Sequence, residues 1–538
     1  MKVQSMTRRH FLKACGAAGA ALATHPISAG RAQAKAKKPN ILFIMSDDHC
    51  SQAIGAYGSR LAGLNPTPTI DRLAAEGMLF ENAFCTNSIC TPSRACIMTG
   101  QYSQTNGVLT LDERLPPEKH YLAIEMKKVG YQTAMIGKWH LKTEPAHFDY
   151  YKVLPGQGKY FNPDFREKGK GDWPRNIVQH DGHSTDVITD LALEWFNRRD
   201  MARPFFMMLH YKAPHDMFEH AERYADYLED EEIPEPDSLY DQPHFGSVAT
   251  RGKNGSLAHK IGASVSKRHP VRNYGKDFRV DPNLPDREYT HRAYQIYLKK
   301  YLRCIKGIDD NLARLFEYLR TAGLIDNTII LYTGDQGFML GEHDYIDKRW
   351  MYEESMRMPL LIRYPKMIEP GSRTNLLVNN TDFAPTMLEL AGAQPRRYMQ
   401  GRSFAPALRG KRPENWRKAT YYRYWMHLTH LDVPAHFGIR TVRYKLIFYY
   451  GRALPKYRGR KSMSWLADSF AVEPTPPGWE FYNLKQDPQE LVNQYRNPEY
   501  RNVIADLKRE LLKVRTELNE TDEQFPDFQS VIDRHWAD

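Results

Sequence analysis

Cysteine is scarce in this chain, with six in 538 residues. That excludes a disulfide framework, and Cys50, Cys85, Cys96 and Cys304 show no paired spacing for a metal and receive no role. No apolar run is long enough to span a bilayer: the Ala/Gly-rich stretch near the N-terminus is interrupted by Gly16, Gly19, His25 and Pro26. No internal repeat or low-complexity tract occurs, and the composition carries no fibrous or disordered bias. Nor does one sign of charge dominate. The formal charge is +11, but residues 1–34 hold five Lys/Arg and no acids, so the remainder balances 70 against 64, or +6. A modest positive field suits polyanionic substrates as well as it suits an ordinary surface, and no nucleic-acid partner is expected.

What is present describes a large soluble enzyme of two lobes. With 41% hydrophobic and 26% charged residues, the chain can bury one big core and a smaller one. Thr7-Arg8-Arg9-His10-Phe11-Leu12-Lys13, followed by the Ala/Gly-rich stretch and Ala32-Gln33-Ala34, has the layout of a cleavable twin-arginine export signal. This predicts cleavage after Ala34, the twin-arginine translocase as a partner, a periplasmic or secreted location and no stable membrane insertion. Lys13 spoils a lipobox around Cys15.

Apolar runs along the chain end in polar clusters. Ile41–Met45 reads as a buried strand delivering Ser46-Asp47-Asp48-His49, and Thr328–Tyr332 delivers Thr333-Gly334-Asp335-Gln336-Gly337. Thr133–Ile136 delivers Gly137-Lys138-Trp139-His140, and Phe205–Leu209 delivers His210 through His215. A helix is predicted from about Tyr294 to Leu319, its apolar residues recurring at three- and four-residue steps and its aromatics read as core. Strands alternating with helices indicate an α/β sheet, in which ligands gather beyond the carboxyl ends of the strands, so the four clusters are expected to converge. Asp47, Asp48, Asp335 and Gln336 offer hard oxygen donors without thiolate or clustered imidazole, a set suited to Ca²⁺ rather than Zn²⁺.

Cys90-Thr91-Pro92-Ser93-Arg94, continued by Ala95-Cys96-Ile97-Met98-Thr99-Gly100, resembles the signature of the formylglycine-dependent sulfatases, with Met98 where leucine is commoner. The resemblance extends along nearly the whole mature chain. It implies an α/β fold of the alkaline-phosphatase-like kind: a large central mixed sheet flanked by helices over residues 35–395, and a smaller C-terminal antiparallel α+β subdomain over 396–538. Strands at Ala419–Trp425, Gly438–Val442, Tyr444–Tyr450 and Trp479–Leu484, a helix from about Val503 to Leu518, and the turn Asp487-Pro488-Gln489-Glu490 fit that subdomain.

By the same resemblance, a formylglycine-generating enzyme oxidises Cys90 to an aldehyde whose hydrate attacks the sulfur of a sulfate ester, and the second hydroxyl then expels sulfate. The metal set becomes Asp47, Asp48, residue 90, Asp335 and Gln336 around one calcium. Gly334 stands where serine is frequent, and Gln336 where asparagine or histidine is often found. Arg94 and His140 would hold the hydrated aldehyde, Lys138 and Lys348 the sulfate oxygens. His215 would protonate the leaving oxygen, with His210 its competitor. Glu342 and His343 would brace the loop.

Substrate choice is less legible. The aromatic, Gly-punctuated segment from His147 to Pro163 is read either as a sugar-stacking loop, similar to segments in sulfatases of the N-acetylglucosamine-6-sulfatase type, or as a packed surface loop. The Pro-, Gly- and Lys/Arg-rich stretch 233–287 is read as a basic lid or a solvated insertion. The expected activity is hydrolysis of sulfate monoesters of sulfated carbohydrates: glycosaminoglycan, mucin or algal polysaccharide fragments. The rival readings are a phosphodiesterase or phosphonate monoester hydrolase on the same scaffold, and a sulfated-glycan-binding protein without turnover.

Overall fold

Asn40–Ser46 is buried along its whole length, and its side chains divide between two cores: Ile41, Phe43 and Met45 enter one apolar cluster, Leu42 and Ile44 the other. That is the behaviour of a strand covered on both faces, and it explains why the segment reads as an unbroken apolar run rather than an alternation. In the computed structural model, which describes residues 38–240 and 243–538, this strand is central to a mixed sheet. The export signal expected at 1–34 lies outside the described residues.

Among the described residues the main sheet has ten strands, in the order Ser372–Thr374, Met78–Phe80, Leu360–Arg363, Thr328–Gly334, Asn40–Ser46, Phe205–Tyr211, Gln132–Lys138, Tyr150–Leu154, Asp164–Glu167 and Ile177–Gln179. The five from Thr328–Gly334 to Tyr150–Leu154 run parallel, while Leu360–Arg363 on one side and Asp164–Glu167 on the other pair antiparallel. The four strands read from the sequence as site-bearing are therefore adjacent and point the same way, and all four end on one edge.

The predicted long helix spans Asp286–Thr321 and begins earlier than its apolar stripe, directly after Pro285, with Asp286 and Glu288 in a first turn that favours acids. It packs on the helices Pro68–Ala75 and Ser184–Arg198 against one face of the sheet. The helices Cys90–Thr99, Tyr121–Lys128 and Phe383–Leu390 carry the core of the opposite face.

A separate antiparallel sheet of Ala419–Tyr424, His436–Thr441, Tyr444–Tyr449 and Gly478–Asn483 follows, with the helices Arg501–Glu517 and Pro526–His535. Its apolar residues join the same cluster as the Cys90 helix. The stretch 233–287, read as a basic lid or a solvated insertion, is in part packed inward. Ile261, Val265, His269 and Tyr274 are buried, Arg268 pairs with Asp344 at 2.8 Å, and Arg272 pairs with Asp216 at 2.9 Å. Its basic residues include structural ties to the main domain, which a charge run viewed in isolation does not reveal.

Candidate active site

Cys90 is the first residue of its helix, where Ile89 in an extended conformation ends the incoming chain. The helix Cys90–Thr99 is buried throughout, so Arg94, one turn on, projects its guanidinium into the protein rather than into water. A buried guanidinium needs partners, and it has them. Arg94 Nε and Nη2 lie 3.0 and 2.9 Å from Asp335 Oδ2, Nη2 lies 3.4 Å from Asp47 Oδ1, and Nη1 donates to the Lys138 carbonyl at 2.5 Å. One side chain thus ties together the ends of three strands and the Cys90 helix.

The acids converge as the sequence predicts. Ligand atoms of Asp47, Asp48 and Asp335 all lie within 4.8 Å of one another, and so do those of Asp47, Cys90 and His215. The Asp48 backbone N–H donates to Asp335 Oδ1 at 3.1 Å, and Gln336 Nε2 donates to Asp48 Oδ1. Two ammonium groups close the ring: Lys138 Nζ donates to Asp47 Oδ2, and Lys348 Nζ donates to both Asp48 oxygens at 2.5 and 2.6 Å. Lys348, although it lies in the charged run Asp347-Lys348-Arg349, is only 2% exposed.

These charges govern one another. Burial acts to raise the pKa of Asp47, but Lys138, His215, Arg94 and Lys348 outweigh it and hold the carboxyl well below the usual range. Asp335 is pushed up to about 8 by burial and by Asp47, with Arg94 opposing. Burial lowers Lys348, yet Asp48, Cys90, Asp47 and Asp335 carry it well above an ordinary lysine. Three buried carboxylates at this spacing repel strongly, and Arg94, Lys138 and Lys348 offset that repulsion. The donor set fits a hard cation: Asp47 Oδ1 and Gln336 Oε1 are buried and make no hydrogen bond, Asp47 Oδ1 facing the Arg94 guanidinium at 3.4 Å.

The Cys90 thiol is pushed up to about 12, first by burial and then by Asp47. A thiol so rarely ionised is a poor nucleophile as it stands.

The histidines separate by position. His140 and Lys138 follow Gly137, whose φ of 99° and close approach to the neighbouring strand demand glycine, since a Cβ there would lie 1.9 Å from the His210 carbonyl oxygen. His140 Nδ1 is 3.5 Å from Thr91 Oγ1, and burial, Lys138 and Arg94 depress its pKa well below normal. His210 lies behind Arg94, with Nδ1 3.1 Å from the Lys138 carbonyl oxygen, and is 2% exposed. His215 reaches the cluster directly: Nε2 is 3.9 Å from Asp48 Oδ2, and Nδ1 is 2.8 Å from Asp216 Oδ1. The geometry favours His215 over its competitor.

Several participants escape sequence reading. Asp216 orients His215 and is gripped by Arg272, from the 233–287 stretch. Gln157 accepts from Lys138 Nζ. Tyr301, read as plain core, donates to the Asp48 carbonyl at 2.7 Å and accepts from the Cys50 N–H at 3.1 Å. A buried tyrosine in an apolar stripe gives one signal of this kind, because its hydroxyl must find a partner. Glu342 and His343 brace their loop, as expected: Glu342 pairs with Arg60 at 2.6 Å, and His343 stacks on Phe245 at 3.8 Å. Gly334 is explained by crowding, since a Cβ there would lie 2.5 Å from the His49 carbonyl oxygen.

Comparison with known proteins agrees with this geometry. The sulfatase family profile matches residues 39–393, and a profile described as N-sulphoglucosamine sulphohydrolase, C-terminal, matches 341–456. An N-acetylglucosamine-6-O-sulfatase of Bacteroides thetaiotaomicron is 38% identical over 527 residues, covering 91% of this chain and 87% of the relative. The human N-acetylglucosamine-6-sulfatase is 27% identical over 412 residues, covering 72% of this chain and 67% of the relative. A structure solved in complex with its substrate D-glucosamine-2-N,6-O-disulfate superposes with a TM-score of 0.77 at 36% identity, covering 91% of this chain and 99% of the other. A phosphonate monoester hydrolase from Silicibacter pomeroyi shares the fold at 20% identity and a TM-score of 0.64, covering 89% and 95%. The match over most of the chain and the 38% identity establish that this chain belongs to the sulfatase family, as a sulfuric ester hydrolase of alkaline-phosphatase-like fold.

Proposed function

We propose that the chain releases sulfate from sulfated carbohydrates, with 6-O-sulfated glucosamine units as its first substrates, using a formylglycine made from Cys90 and a calcium ion. The observation that carries this reading is the convergence of Cys90, Arg94, Lys138, Lys348 and three carboxylates at one edge of the sheet. The choice of sugar rests on the relatives that act on N-acetylglucosamine 6-sulfate and glucosamine disulfate.

Family membership implies formylglycine and a metal in general; the oxygen-only donors Asp47, Asp48, Asp335 and Gln336, with the oxygen at residue 90, favour calcium. The modified residue and the ion supply an oxygen nucleophile and the positive charge that activates it. Arg94, fixed between Asp335 and Asp47, orients that nucleophile. His140, kept neutral by burial and by Lys138 and Arg94, can offer a ring nitrogen as a hydrogen-bond acceptor to it. Lys138 and Lys348 counter the charge of the sulfate oxygens; at an effective dielectric near 20, a cation about 4 Å from an anion contributes roughly 4 kcal/mol before desolvation. His215, its Nδ1 engaged by Asp216, presents Nε2 to protonate the departing sugar oxygen, a role worth about 10² to 10⁴ in rate.

Export as a folded protein through the twin-arginine translocase, after oxidation of Cys90 by a formylglycine-generating enzyme, fits the Thr7–Lys13 motif and would deliver the enzyme to the periplasm or beyond. The test is sulfate release from a panel of sulfated mono- and oligosaccharides and a phosphate diester, with Cys90→Ala alongside, and mass spectrometry of the peptide bearing residue 90. Intact thiol in natively matured enzyme, or turnover surviving in Cys90→Ala, contradicts the proposal.

A further inference from the structure

Beside His140, on the same sheet edge as the carboxylate cluster, lies a cavity of about 520 Å³. It is enclosed by the residues following two adjacent strands, His140 and Lys142 after Gln132–Lys138 and Gly156 after Tyr150–Leu154, together with Arg114, Arg166 and Trp173. The charged side chains lining it are all basic: Arg114, Lys142 and Arg166. None of the three forms an ion pair among the described residues. The nearest acids in sequence are engaged elsewhere: Glu113 is bonded to Lys456, Glu144 accepts from the Tyr151 hydroxyl at 2.7 Å, and Glu167 pairs with His180 at 2.6 Å. Arg166 is pre-positioned, its guanidinium 4.7 Å from the Trp173 ring centre and its Nε donating to the Pro174 carbonyl at 3.0 Å. Lys142 and His140 both have left-handed backbones, with φ of 64° and 54°, so the chain turns sharply at the point where it lines the cavity.

Three unpaired cations, an indole and no acid, in a space large enough for a sugar ring, describe a carbohydrate subsite that selects negative charge. We infer that this cavity binds the sugar adjoining the one that carries the reacting sulfate, and that Arg114, Lys142 and Arg166 select neighbours bearing a carboxylate or a sulfate. The inference rests on the sulfatase reading. It assigns to this enzyme a preference for acidic oligosaccharides over isolated sulfated sugars, with Trp173 holding the Arg166 guanidinium in place.

The experiment compares kcat/KM for four substrates: 6-O-sulfated N-acetylglucosamine alone, and the same unit linked to a neutral hexose, to a uronate, or to a sulfated hexose. The double variant Arg114→Gln/Lys142→Gln removes two charges at near-constant size, and its melting temperature is checked against the parent. Expected is a loss of about tenfold or more on the uronate or sulfated-neighbour substrate, carried by KM, with the monosaccharide and the neutral disaccharide changed less than about twofold. Which of the two acidic substrates suffers identifies the group being read. Equal losses on all four substrates, or none on either acidic disaccharide, overturn the subsite. A comparable loss on an N,6-disulfated monosaccharide also overturns it, since the cations would then be reading the reacting sugar. Absence of sulfate release from every substrate by the fully matured parent overturns the sulfatase reading itself.

Discussion

His215 Nδ1 lies 2.8 Å from Asp216 Oδ1, while Nε2 of the same ring lies 3.9 Å from Asp48 in the carboxylate cluster. Burial raises the pKa of Asp216, but His215 and Arg272 more than offset this and hold it well below the usual range. An ionised Asp216 keeps the proton on Nδ1 and fixes which nitrogen faces the site.

Asp216→Asn should therefore lower kcat on sugar sulfates by about 10 to 100-fold with little change in KM. Aryl sulfates with acidic leaving groups need no proton and should lose far less. Equal losses on both substrate types would remove His215 from the role of acid.

Tyr301 offers a test of the metal loop that leaves every proposed ligand side chain in place. Tyr301→Phe leaves the Asp48 carbonyl and the Cys50 N–H without their shared hydroxyl, a cost of about 1–3 kcal/mol. The parent should melt lower after chelation and recover with calcium, gaining about 2.7 kcal/mol at a concentration 100 times the dissociation constant. In the variant the calcium midpoint should move up about tenfold. Calcium titrations followed by thermal unfolding decide this, and coincident midpoints refute it.

Gly137 packs directly against the His210 carbonyl of the neighbouring strand. Gly137→Ala combines a left-handed backbone, about 1–3 kcal/mol, with a Cβ thrust at the His210 carbonyl, about 1–3 kcal/mol more. Denaturant unfolding should show a loss of about 2–6 kcal/mol. A variant as stable as the parent would mean that the two strands separate easily.

A pH effect follows from His436, which is buried among Tyr422, Trp350 and Tyr449 and whose pKa burial pushes down to about 3. Between pH 3 and 6.5 this residue is neutral when folded and protonated when unfolded, so stability is lost as pH falls below 6.5, by about 1.4 kcal/mol per unit. His436→Phe should flatten the dependence of unfolding free energy on pH by that slope between pH 6 and 4.5. An unchanged slope contradicts the assignment.

The legible part of the fold was what repeats locally. Ile41–Met45 and Thr328–Tyr332 announce themselves because strands buried on both faces must be apolar throughout, and the long helix because its stripe recurs every three or four residues. Asp47, Asp48, Asp335 and Lys138 were legible because each directly follows or ends such a strand. Asp216, Arg272, Gln157 and Tyr301 were not. Arg272 meets Asp216 across 56 residues and Tyr301 meets Asp48 across 253, and no local pattern records a pairing at that separation.

By itself, then, the sequence determined the chemistry available: a modifiable cysteine in its motif, oxygen donors for a hard cation, and cations for an anionic ester. Tertiary structure decided which of these groups act together. It put His215 beside the acids with His210 behind Arg94, buried Lys348 against Asp48, and turned a basic stretch inward to hold Asp216. The physical reason is that residue type is a property of the chain, whereas burial and charge pairing depend on which strand ends share an edge, and that is settled only when both faces of the sheet are covered.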